Sequence, residues 1–95
     1  MAEEAVRADV WLWRARFCKT RSLAARLLDG GKVRLARAGQ ETRLDKAART
    51  VKVGDGLVFA IAGRLHAVRI EALGVRRGPP AEARALYSPL DEAAP

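Results

Sequence analysis

Two adjacent glycines, Gly30 and Gly31, stand where the hydrophobic period of this sequence changes. Upstream, Leu23, Ala24, Leu27 and Leu28 recur at helical spacing. Downstream, Lys32-Val33-Arg34-Leu35 alternates basic and apolar, the spacing of a half-buried strand. A glycine just past a helical stripe supplies the left-handed residue that ends a helix. A chain whose period switches in this way is committed to helices followed by a sheet. Its 95 residues leave room for one domain with a small core.

The neighbouring segments extend that frame. Asp9 is placed to cap a first helix over residues 10–17, where Val10, Trp13 and Phe17 share one stripe and Trp11, Leu12 and Ala15 lie elsewhere on the wheel. Thr20 or Ser22 caps the second helix, which ends near Asp29. Little more than Cys18-Lys19 joins the two, so they read as a helix-turn-helix-like pair. Arg37-Ala38-Gly39-Gln40 reads as a turn, and residues 41–50 as a loop or a short helical turn. A buried strand is expected over 57–62, a two-residue hairpin turn at Gly63-Arg64. From 65 to 73 His66, Val68, Ile70 and Ala72 fall on one side of an alternating segment. Gly78-Pro79-Pro80 breaks the chain before a short helix over 81–87. The expected fold class is α+β: the helical pair on a small, mainly antiparallel sheet, with a short C-terminal helix. The expected domain covers 7–87, and 88–95 a frayed tail.

Composition removes whole classes of function. One cysteine allows neither an internal disulfide nor a multi-cysteine zinc site, and one histidine argues against a histidine-based metal site. His66 alternates with apolar residues and reads as packing, Cys18 as a small residue in a turn, and the acids are scattered. No catalytic centre, metal or cofactor is therefore expected. No run approaches the ~20 apolar residues of a membrane span. The start, Met1-Ala2-Glu3-Glu4, is acidic and unlike a signal peptide, so a cytoplasmic, monomeric protein without a membrane role is expected.

Charge carries the functional signal. Residues 1–52 hold 13 Lys and Arg against 6 Asp and Glu, net +7, whereas residues 53–95 hold 5 of each. A one-sided block within an apolar-rich, structured segment points to a polyanion. Lys19 and Arg21 flank the start of the second helix, where free N–H groups and the helix dipole favour a phosphate. Thr20 and Ser22 add hydroxyls, Arg26 continues the face by a turn, and Lys32 and Arg34 carry it onto a strand. Arg14 and Arg16 join this set; Arg7 is either a phosphate ligand or the partner of an acid. Arg43, Lys46, Arg49 and Lys52 are secondary candidates. Trp11 and Trp13 have the ring chemistry to stack on bases, but Trp13 is expected in the core.

The stretch Arg7-Ala8-Asp9, then Phe17 to Ala24, then Gly30-Gly31-Lys32-Val33-Arg34, resembles the S-4 RNA-binding domain of ribosomal small-subunit protein 4. Ala8 stands where that domain has Leu, and Ala36-Arg37-Ala38-Gly39 where it has a Val-Asn-Gly hairpin. Within that group the sequence is similar to the heat shock protein 15 family, through Asp9-Val10-Trp11-Leu12-Trp13-Arg14-Ala15-Arg16-Phe17-Cys18-Lys19-Thr20-Arg21-Ser22-Leu23-Ala24 and the segment from Arg76 to Tyr87. The resemblance implies non-catalytic binding of ribosomal RNA on the large ribosomal subunit. It also implies rescue of stalled large subunits that carry peptidyl-tRNA. Many members have a long basic C-terminal extension, whereas this sequence closes on Asp91-Glu92-Ala93-Ala94-Pro95, which bears on the tRNA role first. The rival readings are an accessory RNA-binding subunit of an RNA-modifying enzyme and a DNA-binding helix-turn-helix protein.

Overall fold

The computed structural model describes residues 4–90. A short strand β1 (Val6–Arg7) leads into helix α1 (Ala8–Arg14), followed by α2 (Arg21–Asp29). Strands β2 (Val33–Arg37) and β3 (Gln40–Leu44) form a hairpin; β4 (Thr50–Val51) returns to pair with β1. A second hairpin, β5 (Gly56–Ile61) and β6 (Arg64–Ile70), precedes α3 (Pro80–Arg84) and β7 (Tyr87–Pro89). The five-stranded sheet runs in the order β3-β2-β5-β6-β7 with every neighbouring pair antiparallel. The α+β class, the helical pair and the short third helix are thus as expected.

One apolar core joins the helices to the sheet: Trp11, Leu12, Leu28, Val33, Leu44, Leu57, Phe59 and Ile70 are all essentially inaccessible. Helix α1 begins two residues before the expected start. Arg7, not Asp9, is its N-cap, and it makes no side-chain capping bond. The Ala8 N–H goes instead to the Arg49 carbonyl at 2.7 Å, so tertiary contact replaces the cap. The buried stripe is Ala8, Trp11, Leu12 and Ala15, at i, i+3, i+4 and i+7. Val10, Trp13 and Phe17 do not share one face of it, because Phe17 lies beyond the helix. Trp13, expected in the core, is only half-buried, and the Arg77 guanidinium sits 6.0 Å from its ring.

Both helices end in the same way. After α1 the Phe17 N–H reaches the Leu12 carbonyl and the Arg16 N–H the Trp13 carbonyl; after α2 Lys32 reaches Leu27 and Gly31 reaches Leu28. These are paired Schellman closures, each needing a left-handed residue. Gly31 fills that role at φ 71°, and Arg16 fills it at φ 66° despite its side chain.

The sheet corrects several local expectations. Thr20, not Ser22, caps α2, accepting the Leu23 N–H at 3.0 Å. Of residues 41–50, expected as a loop or a short helical turn, 41–44 belong to strand β3 and Thr50 to β4, and only 45–49 form a loop. As an edge strand exposed on both faces up to Leu44, β3 has no reason to alternate. The second hairpin turns on Ala62-Gly63, one residue earlier than expected. Ile61 pairs with Arg64, leaving two left-handed residues at φ 52° and 78°, the twist a two-residue hairpin favours. Tyr87 belongs to β7, and Ser88 and Pro89 pair with Arg69 and Val68. The frayed tail therefore does not begin at 88; its last residues, 91–95, lie outside the described residues.

Candidate nucleic-acid interface

The basic residues of the first half divide by what they touch. Arg7 forks onto Asp9, Nε to Oδ1 at 3.1 Å and Nη2 to Oδ2 at 3.0 Å. This hydrogen-bonded carboxylate, with help from the charge of Asp29, holds the Arg7 guanidinium above its ordinary pKa. Arg14 donates to the carbonyls of Gly74, at 2.9 Å, and Leu73; Arg16 donates to that of Gly78 at 2.6 Å. Trp11 Nε1 donates to Ala72 and Arg77 Nε to the Trp13 carbonyl, so four side chains staple α1 to residues 72–78. Arg37 forks onto Asp55, only 2% exposed, whose Oδ2 also accepts the Lys52 N–H. The expected phosphate ligands Arg7, Arg14 and Arg16 thus have protein partners, because carbonyls and a carboxylate lie within reach once the chain is folded. Lys52 is half-buried beside the same turn.

A second set reaches solvent. Lys19, Arg21, Arg26, Lys32, Arg43, Lys46 and Arg49 are exposed and carry no ion pair among the described residues. Lys19 and Arg21 bracket Thr20 at the start of α2, and Ser22 is exposed beside them. Lys32 follows the other end of that helix. Arg34 and Arg43 stand directly opposite each other on β2 and β3. Like charges so placed repel. Arg34 has only Glu41, at 3.4 Å with both side chains more than half exposed, a pair worth little in water. Arg43 passes over the helix closure: a Cβ on Gly31 would sit 3.1 Å from its Cδ. Lys46 and Arg49 lie in a loop pinned to α2 where Asp29 Oδ1 accepts the Ala47 N–H at 2.9 Å.

By sequence Arg43 is only a secondary candidate. Its place beside Arg34 depends on a hairpin register that local pattern does not carry. A hint was available in Ala38-Gly39, whose left-handed pair at φ 53° and 78° sets that register.

Nothing in this region resembles a reaction centre. Burial pushes the Cys18 thiol up, away from the reactive thiolate. His66 stacks on Phe59 at 5.3 Å, and no three of His, Cys, Asp and Glu gather into a metal-holding group among the described residues. No helix there is long and apolar enough to cross a membrane.

Comparison with solved structures decides the family. The trimeric structure of Vibrio cholerae heat shock protein 15 superposes with a TM-score of 0.81 and 36% sequence identity, over 95% of this chain and 86% of that one. The chain belongs to the heat shock protein 15 family. The S4 domain family model matches residues 6–39 of this family member, the stretch holding both helices and β2. The heat shock protein 15 homolog of Haemophilus influenzae is 41% identical over 88 residues, and heat shock protein 15 of Escherichia coli K12 37% over 87. Each alignment takes in 92% of this chain, which spans 63% and 62% of the lengths of those two relatives.

Proposed function

We propose that this heat shock protein 15 relative binds structured ribosomal RNA through phosphates and shape, and performs no chemistry of its own. The observation that carries the reading is the exposed cationic surface running from Lys19 and Arg21 along α2 to Lys32, Arg34 and Arg43, in which Arg34 with its weak Glu41 contact is the one member ion-paired among the described residues. Thr20, Ser22 and Arg26 lie within it, and Lys46 and Arg49 border it. Arg34 opposite Arg43 is a repulsion that the folded chain does not need and that a polyanion would relieve. The family supports the large ribosomal subunit as the site of action, in the cytoplasm, and rescue of stalled subunits bearing peptidyl-tRNA as the occasion. A basic surface complete within one chain supports binding as a single copy; the solved Vibrio cholerae relative is trimeric.

Fractionating a tagged protein on a sucrose gradient tests the partner: co-migration with the large subunit is expected, and migration as free protein or with the small subunit overturns it. On isolated ribosomal RNA, neutralising about four to six phosphates gives a log K against log salt slope of roughly −3 to −5. A flat salt profile, or tighter binding to duplex DNA at matched salt, rejects the reading. Sedimentation in the same buffer reads the copy number, and a mass three times the chain's 10.3 kDa excludes the single copy.

A further inference from the structure

An apolar groove of about 340 Å3 opens between the start of α2 and the β5–β6 hairpin. Phe17, Leu23, Leu27 and Ile61 wall it, and Lys19 stands at its edge. The Phe17 ring is held from several sides, edge-on by Phe59 at 5.0 Å, by His66 at 5.3 Å and by Tyr87 at 4.7 Å. Leu23 is 44% exposed, although Ala24 and Leu28 of the same stripe are fully buried. The fold therefore builds a rigid aromatic wall and an aliphatic one and leaves the space between them uncovered.

Three properties select an occupant. The volume lies at the low end of the roughly 300–1,000 Å3 typical of small-molecule sites, which suits one ring system and not a helix. The lining asks for a flat apolar face. The edge asks for an anion attached to that face, since Lys19 and Arg21 are exposed and have no acid partner among the described residues. A flat ring system joined to a phosphate is a nucleotide. We infer that the groove receives one unpaired nucleobase of the bound RNA, stacked against Phe17 and Leu23, with its phosphate on Lys19 and Arg21. This inference rests on the RNA-binding reading and sharpens it: the preferred RNA is a duplex carrying a bulged nucleotide, because a base held in a stack cannot enter the groove.

The probes are two short RNA hairpins, identical except that one carries a single bulged nucleotide. The variant is Leu23→Gln. It changes no charge, and with Thr20 three residues earlier it completes a capping box, so the helix start stays intact. The protein should prefer the bulged hairpin by about 5- to 150-fold, the worth of one stacked base. Leu23→Gln should bring that preference close to one while leaving affinity for the paired hairpin within about twofold. Equal, salt-dependent binding of both hairpins by the unmodified protein removes the base site and leaves the RNA-binding reading standing. Failure to bind either hairpin removes both. A loss of self-association in Leu23→Gln overturns the inference in favour of a second copy of the chain as the occupant.

Discussion

Helices α1 and α2 sit side by side and both carry arginines, but the charges end in different places. Arg14 and Arg16, at and just beyond the end of α1, reach back onto segment 72–78 and donate to the carbonyls of Leu73, Gly74 and Gly78. Lys19, Arg21 and Arg26, at the start of α2 and along it, face solvent without an ion pair among the described residues. The difference follows from what each helix packs against. Segment 72–78 has little regular structure of its own, so its carbonyls need donors, and α1 lies beside it. Helix α2 packs Ala24 and Leu28 of its apolar stripe on the core, and among the described residues no carbonyl or carboxylate takes a side-chain bond from Lys19, Arg21 or Arg26.

The largest expected effect breaks the α2 side. Changing Lys19 and Arg21 together to Glu should lower RNA affinity at least ~100-fold, since each charge-assisted contact is worth about 1.5–3 kcal/mol. Acids in a first helical turn suit the dipole, so melting temperature should hardly move. The matched double change at exposed Arg69 and Arg84 should alter affinity only slightly; binding isotherms and melting curves on both doubles separate the cases. Equal losses in the two would dissolve the contrast between the helices.

The mirror experiment strikes the α1 side. Arg16→Ala removes the bond to Gly78 and should cost about 1.5–3 kcal/mol, while RNA affinity stays within a few-fold. For a domain of this size each kcal/mol is worth about 4–8 °C in melting temperature. Arg16→Gly loses the same bond but relaxes the left-handed backbone, so it should melt above Arg16→Ala by about 1 kcal/mol equivalent. Calorimetry ranks the two; the reverse order would mean that the backbone there is not strained.

A smaller test separates binding from folding at one residue pair. Arg43→Gln keeps most of the side-chain stem over Gly31 and removes the charge facing Arg34. Stability should rise by about 0.2–1 kcal/mol while affinity falls by about tenfold, opposite signs that denaturant titration and RNA titration read separately. A fall in both would assign Arg43 to the fold.

The smallest effect lies in the neutral half. Its hydrogen bonds and ion pair with Arg76, at 2.7 Å, hold the Glu82 carboxyl below its ordinary value of 4.5. A lowered carboxylate pKa adds stability that is fully present above the unfolded value and is lost as pH falls through the folded one. Glu82→Gln should therefore melt slightly below the unmodified protein at neutral pH and match it well below pH 4.5. The Arg76 and Glu82 side chains are 65% and 45% exposed, so a large shift would show the pair to be more than a surface contact.

Where the signal was local, the amino-acid sequence was enough. Thr20 and Gly31 delimit α2 because a cap and a left-handed closure act within a few residues. The core side of β6 follows from strand alternation through His66, Val68 and Ile70. The imbalance between residues 1–52 and 53–95 is composition alone, and it pointed to the half of the chain in which exposed cations cluster around α2, β2 and β3. Three decisions belonged to tertiary structure. Strand β3 exists because β2 offers it an edge. Ser88 and Pro89 are ordered because β6 offers them one on the other side. Arg14 and Arg16 are tied to the fold by acceptors that lie 59 to 62 residues further along the chain. Caps and periodicity are properties of neighbours in sequence and can be read there. The partner of a long, flexible cation is set by which carbonyls the folded backbone leaves unsatisfied within its reach, and that is defined only once the sheet and the 72–78 segment have closed over α1.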